Sequence, residues 1–300
     1  VRFELTTDQR DFAASLDALL SAADTVAAAR VWAEGDHDPG LKLWQRLAEQ
    51  GLTMLATEAT PVELCVAFEA LGRHAVPGPW VEAAAYLPVA LGREVEGVAT
   101  VAVPPRVPLA LDADVADEVY VVADGALRTA TAGDRQVSVD RTRRLFTAAP
   151  GEAVEHGDLD AAYDLAVLAT AAQLLGAGER VLADSVAYAK QRRQFGREIG
   201  SYQAIKHKLA DVRIALDFAR PLVLGAALEP TPRAVSAAKV ACSDAAYLAT
   251  RTGLQVHGAI GYTQEFDLSV WITKVRALVS AWGTTADHRA RILESLTGRP

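Results

Sequence analysis

The stretch Tyr188–Val212, YAKQRRQFGREIGSYQAIKHKLADV, governs the reading of the whole chain. Arg192, Arg193 and Arg197 surround the pair Phe195-Gly196, and a polar turn then leads into a helix beginning near Gln203. Ile205, Leu209, Val212 and Leu216 recur at helical spacing, and Pro221 should kink or end that helix. Upstream, residues 160–191 read as one long Ala/Leu helix. Downstream, a helix starts at Thr231-Pro232 and stops at Gly258, and another carries FDLSVWITKVRALVSA. The polypeptide from Asp160 onward is therefore helical.

The opening of the chain is helical too. Thr6 and Gln9 have capping-box spacing, and Phe12, Leu16, Leu19 and Leu20 make one apolar stripe. A second helix fits DPGLKLWQRLAEQGL, and a third fits TPVELCVAFEALGRHA, opened by Thr60-Pro61. VPGPW breaks the chain before a short helix over residues 81–91. From about residue 95 the pattern turns β-branched. VEGVATVAVP and EVYVVADGALRTATA read as strands, with Asp124-Gly125 as a hairpin turn. RQVSVD and RRLFTAA read as further short strands. The expected organisation is mainly α: a helical unit at 1–92, a reduced β unit at 93–157, and a helical bundle at 158–300.

Bulk properties limit the function. With 51% hydrophobic residues the chain is too apolar for disorder. A net charge of −8 argues against a nucleic-acid partner, so any phosphate-bearing ligand needs a local basic cluster. The two cysteines, Cys65 and Cys242, show no metal-binding spacing and read as buried thiols. The N-terminal stretch has no signal-peptide core. Leu165–Leu175, the most apolar helical run, is too short to span a bilayer. A cytoplasmic protein without membrane association is expected.

Two motifs carry a family resemblance. YAKQRRQFGREIGSYQAIKHKLADV and GLQVHGAIGYTQEFDLSVWITKVRAL resemble the two signatures of the acyl-CoA dehydrogenases, flavoproteins that desaturate acyl-CoA thioesters between Cα and Cβ. FELTTDQRDFAASLDALL, LWQRLAEQGLTML and AFEALGRHAVPGPW resemble the family's opening segments. The resemblance implies helical domain, small β domain and four-helix bundle, with FAD at a subunit interface. It places Arg192, Gln194 and Phe195, beside Gly196, on that FAD, together with Gln203, Gln255, Gly258 and Ala259. Ala259 stands where the family has Gly. A guanidinium binds phosphate oxygens through paired hydrogen bonds. His257 reads as a packed helix-terminal histidine, and Lys190, Arg193 and Arg197 read as solvated charges.

Other family features are missing. The Thr-Glu-Pro-x-x-Gly-Ser-like loop and the Trp-Ile-Thr-like strand have no counterpart in the β block, and VWITK at 270–274 lies in a helix. Removal of the thioester α-proton needs a positioned carboxylate. The family's usual base position falls on Trp282, and its alternative falls on Ala166. Asp164 is the nearest carboxylate but lies roughly 200° around the helix from Ala166. Asp287 reads as a cap on the final helix, and Glu265 as structural. No catalytic residue is therefore assigned.

The resemblance extends to the shorter subunits of α2β2 acyl-CoA dehydrogenases of actinobacterial steroid breakdown. It implies FAD as cofactor, a larger homologous partner carrying the glutamate, and a bulky acyl-CoA held mainly on that partner. Two alternatives stand beside this reading. One is a scaffold subunit making no contact with FAD, and the other is a self-sufficient homotetramer using Asp164.

Overall fold

A computed structural model describes residues 3–298. The N-terminal helices form where the capping signals place them. In α1 (Thr7–Ser21) the Thr6 hydroxyl accepts from Gln9 N, and Gln9 Oε1 accepts from Thr6 N. A helix not foreseen, α2 (Thr25–Glu34), follows. Its inward face is Ala28, Ala29 and Trp32, so it lacks the large-residue stripe that marks an amphipathic helix. Next come α3 (Asp38–Glu49), the single turn α4 (Leu55–Glu58), and α5 (Pro61–Arg73), which opens with a Thr60/Glu63 capping box. The expected short helix at 81–91 is a π turn, Glu82–Tyr86, running into α6 (Leu87–Leu91).

The β block is a five-stranded mixed sheet: β1 (Ala99–Ala102), β2 (Ala110–Leu111), β3 (Glu118–Ala123), β4 (Ala126–Gln136) and β5 (Leu145–Ala153), in the order β1-β3-β4-β5-β2. Only the β1–β3 pair is parallel. Asp124 and Gly125 join β3 to β4 with φ of 52° and 76°, the left-handed pair that a two-residue hairpin requires. RQVSVD is not a strand of its own. Arg135 and Gln136 end β4, and Val137–Asp140 form a loop in which Ser138 Oγ accepts from Asp140 N. Asp140 in turn accepts from the backbone and hydroxyl of Thr142, which spends its polar capacity locally.

The centre of the molecule is α7 (Leu159–Gln191). A tight hairpin of β6 (Arg193–Gln194) and β7 (Arg197–Glu198) links it to α8 (Gln203–Leu228), followed by α9 (Pro232–His257), α10 (Leu268–Leu278) and α11 (Thr285–Thr297). By length and composition α7 is long and apolar enough to cross a membrane, which corrects the expectation drawn from Leu165–Leu175. Yet 89% of its most apolar window is buried within the protein, as in a core helix. The helix does not end at Pro221 either, and α8 runs on to Leu228. Leu216, Ala219, Val223, Ala226 and Ala227 bury the same face on both sides of the proline. That burial outweighs a proline cost of about 3 kcal/mol.

Backbone meets backbone where α5 crosses α7. A Cβ on Gly72 would collide with Gln173 O, and one on Gly176 with Glu69 O. Buried and half-buried ions tie the elements further. Arg220 grips Glu69 at 2.7 and 2.8 Å and Glu179 at 3.1 Å, linking α8 to α5 and α7. Lys274 on α10 reaches Asp140 at 3.6 Å and Thr142 Oγ1 at 3.2 Å, which fixes the 137–143 loop over α10.

Candidate flavin-facing surface and the base position

Arg192 ends α7, and its backbone is held from both sides. Its N–H donates to Tyr188 O at 2.9 Å, and its carbonyl accepts from Ile199 N at 2.8 Å. The guanidinium is exposed and pairs with no carboxylate among the described residues. Phe195 and Gly196 close the hairpin with φ of 50° and 81°. A bulky residue is rare in that region, and the Phe195 ring is 92% exposed. A Cβ on Gly196 would meet nothing within 4 Å, so the turn conformation, not crowding, selects glycine here. Tyr202 Oη donates to Gln194 O at 3.2 Å, and the Arg197 guanidinium lies 4.0 Å from the Tyr202 ring centre. Arg193 turns back onto Gly196 O at 3.3 Å.

Gln203 is the first residue of α8, and Gln255 sits in the last turn of α9. Both are exposed, and neither side chain makes a capping hydrogen bond among the described residues. At Gly258, φ is 64°, a Cβ would again meet nothing within 4 Å, and the following Ala259 is exposed. His257 behaves as expected of a packed histidine. It is buried, its Nδ1–H donates to Gly253 O at 2.8 Å, and its ring stacks on Tyr188 at 4.3 Å. That stack joins the last turn of α7 to the last turn of α9. It brings the Arg192 hairpin and the Gln255–Ala259 stretch to one end of the bundle.

Neither expected base position holds a carboxylate. Ala166 is buried in α7. Trp282 is 1% exposed, and its backbone sits at φ 56°. Its carbonyl accepts from Tyr163 Oη and His288 Nε2, both at 2.9 Å. Its indole leans on the rings of Tyr86 and Tyr163, with centres 5.2 and 6.0 Å away. Asp164 is buried in an ion pair with Arg291 at 2.7 Å. Burial raises its carboxyl above the ordinary value even against that partner. Asp287 caps α11 as expected, accepting from Thr284 N and Oγ1, and those hydrogen bonds hold its carboxyl low. The Glu265 side chain is exposed, and its carbonyl accepts from Arg30 at 2.7 Å.

Sequence reasoning missed Glu82. It is 1% exposed, and Oε2 has no hydrogen-bond partner. It lines a cavity of about 650 Å³ together with Trp282. Desolvation pushes its carboxyl above the usual carboxylate range, opposed by the Arg143 charge. A lone Glu inside the apolar run WVEAAAYLPV was the available signal. Both cysteines are buried, and burial raises their thiols far from reactivity.

Residues 164–297 match the family description "Acyl-CoA dehydrogenase, C-terminal domain". The acyl-CoA dehydrogenase IpdE2 of Mycobacterium tuberculosis is 33% identical over 270 residues, 83% of this chain and 84% of that protein. IpdE2 of Mycolicibacterium smegmatis is 30% identical over 277 residues, covering 85% and 88%. The chain belongs to the acyl-CoA dehydrogenase family. Among solved structures it resembles the ChsE4-ChsE5 complex of M. tuberculosis, with TM-score 0.84, 21% identity and all of both chains covered. It also resembles butyryl-CoA dehydrogenase of Megasphaera elsdenii, with TM-score 0.80, 19% identity and coverage of 99% and 100%. Acyl-CoA dehydrogenases are FAD-dependent oxidoreductases. The two motif stretches meet at one end of its bundle, and the position expected from the resemblance to hold the base is Trp282.

Proposed function

We propose that this chain is the shorter subunit of a heteromeric acyl-CoA dehydrogenase, completing an FAD site whose catalytic glutamate belongs to a larger homologous partner. One observation carries the reading: Trp282 is buried with its carbonyl doubly hydrogen-bonded, so the base position is built into the core as tryptophan. The motif residues for FAD point the other way, out of the chain. Arg192, Gln194, Phe195, Gln203, Gln255 and Ala259 are exposed, and Gly196 and Gly258 leave their surroundings open.

Those residues fit one wall of a dinucleotide site. Arg192 would pair with diphosphate oxygens, Gln203 and Gln255 would offer amide hydrogen bonds, and the Gly258-Ala259 turn would let the cofactor pass close to backbone. FAD, when bound, accepts the hydride of the desaturation. The task left to this chain is to hold the cofactor, and proton removal falls to the partner.

A partner-facing surface is consistent with the exposed stripe of Ile214, Phe218 and Leu222 along α8. The likeness to a complex of two named polypeptides also supports a partner, and the assembly in this reading is α2β2. A second structure of the same fold is that of a variant of the Tcur3481-Tcur3483 steroid ACAD, with TM-score 0.83, 19% identity and coverage of 97% and 98%. It supports a steroid-derived acyl-CoA as the substrate class, and in this reading the partner holds most of it. The units in this reading are 1–92, 93–157 and 158–300, and the compartment is the cytoplasm.

The test is Arg192→Ala in the complex formed with a family member that has Glu at the Trp282 position. Loss of one charge-assisted contact should weaken FAD retention at least about tenfold. Unchanged flavin content would favour the scaffold reading.

A further inference from the structure

The described arginines without a carboxylate partner fall mainly into two groups. One is the 192–197 stretch already described. The other is assembled by the fold alone: Arg106 after β1, Arg135 at the end of β4, Arg141 and Arg143 in the following loop, and Arg276 on α10. By contrast Arg144, Arg213, Arg220 and Arg291 all pair with carboxylates. In a chain of net charge −8, three of these guanidiniums, Arg106, Arg143 and Arg276, line one cavity, and Arg135 and Arg141 line the hollow beside it, which favours an anionic occupant.

The opening is the cavity of about 650 Å³ that reaches Trp282. It adjoins a second hollow of about 320 Å³, and the two share Val137, Ser138 and Arg143. Glu82 lines the larger cavity, its Oε2 sealed from solvent, with the Trp282 indole N–H as its neighbouring donor. A buried carboxyl in a cavity wall keeps hydrogen-bonding capacity that a ligand atom can use. Burial raises the Glu82 carboxyl, against the opposing Arg143 charge, and so favours the protonated form that donates rather than repels. Glu82 also lies in a π turn, a distortion frequent at functional sites. Leu109, Leu111 and Val279 supply apolar wall between floor and rim.

We propose that this cavity binds a small oxyanion-bearing molecule, its phosphate or carboxylate groups held by Arg143 and the neighbouring arginines and an inner oxygen accepting from Glu82. The site is separate from the Arg192–Ala259 wall and shares no residue with it. It does not depend on the shared-flavin reading. The position where the family performs proton transfer is thus relined here for binding, with tryptophan in place of the base.

Isothermal calorimetry on the co-purified complex tests this, with pyrophosphate and glutarate as probes for the phosphate and carboxylate sources. The expected result is saturable binding of one of them at this chain. Arg143→Ala and Glu82→Ala should each weaken it about tenfold or more, with FAD content unchanged. Arg141→Ala, on an exposed side chain, gives the same test without disturbing the fold and should weaken binding in the same direction. Preference for pyrophosphate assigns a phosphate ligand, and preference for glutarate assigns a carboxylate. No binding of either probe up to about 10 mM, or binding that Arg143→Ala and Arg141→Ala leave unmoved, overturns the proposal.

Discussion

The Tyr163 hydroxyl donates to the Trp282 carbonyl oxygen across 2.9 Å, tying the core helix α7 to the turn between α10 and α11 where the base is expected. Trp282 is therefore held by both backbone and side chain. Reinstating the carboxylate by Trp282→Glu should leave the chain alone inactive and lower its stability by about 3–5 kcal/mol, the cost of losing a buried indole. Urea unfolding and an acyl-CoA/dye-reduction assay check this, and recovered turnover by the single variant would contradict it.

Tyr163→Phe removes one of two donors to that carbonyl and keeps the ring. Because His288 still donates to the same oxygen, the expected loss is only about 0.5–1.5 kcal/mol, read as a shift in denaturation midpoint.

His288 gives a pH signature. It is fully buried between Ser236 Oγ at 3.1 Å and the Trp282 carbonyl at 2.9 Å. Desolvation lowers its pKa from 6.5 to about 4. The unfolded chain therefore binds the extra proton first, and this residue's contribution is full above about pH 6.5. It falls as pH drops from there toward about 4, and levels off below. His288→Gln should flatten that part of the stability–pH curve relative to the unsubstituted chain. Parallel curves for the two proteins would show that His288 is not the titrating group.

Gly176 faces the Glu69 carbonyl at the α5–α7 crossing with no room for a methyl group. Gly176→Ala forces the helices apart and should cost about 1–3 kcal/mol or more, despite alanine's better helix propensity. A higher melting temperature for the variant would contradict this packing.

Asp164 is committed to Arg291 at 2.7 Å. Asp164→Asn should lower stability by leaving the arginine half-buried and unpaired, while the turnover of the assembled dehydrogenase stays unchanged. A drop of orders of magnitude in kcat with stability intact would instead make Asp164 a base and favour the self-sufficient homotetramer.

The helices and the two signature stretches were legible because each rests on a local signal. Thr6/Gln9 and Thr60/Glu63 cap as their spacing says, and Asp124-Gly125 turns the hairpin as its residue types demand. The stretch α2 escaped because alanines bury its inward face, and Pro221 misled because tertiary burial overrode propensity. What could not be read were convergences of distant residues. The Arg220 grip on Glu69 and Glu179, the Lys274 hold on the 137–143 loop, and the arginines around the Glu82 cavity come from separate elements. No spacing in the chain announces them.

In the proposed assembly this acyl-CoA dehydrogenase chain completes a flavin site owned by another polypeptide. The most direct test is flavin absorbance with native mass spectrometry on the chain purified alone and co-expressed with a glutamate-bearing family member. The expected result is a flavin-free chain alone and a yellow hetero-oligomer holding fewer FADs than subunits. A homo-oligomer with one tightly bound FAD per chain and full dehydrogenase activity would contradict it.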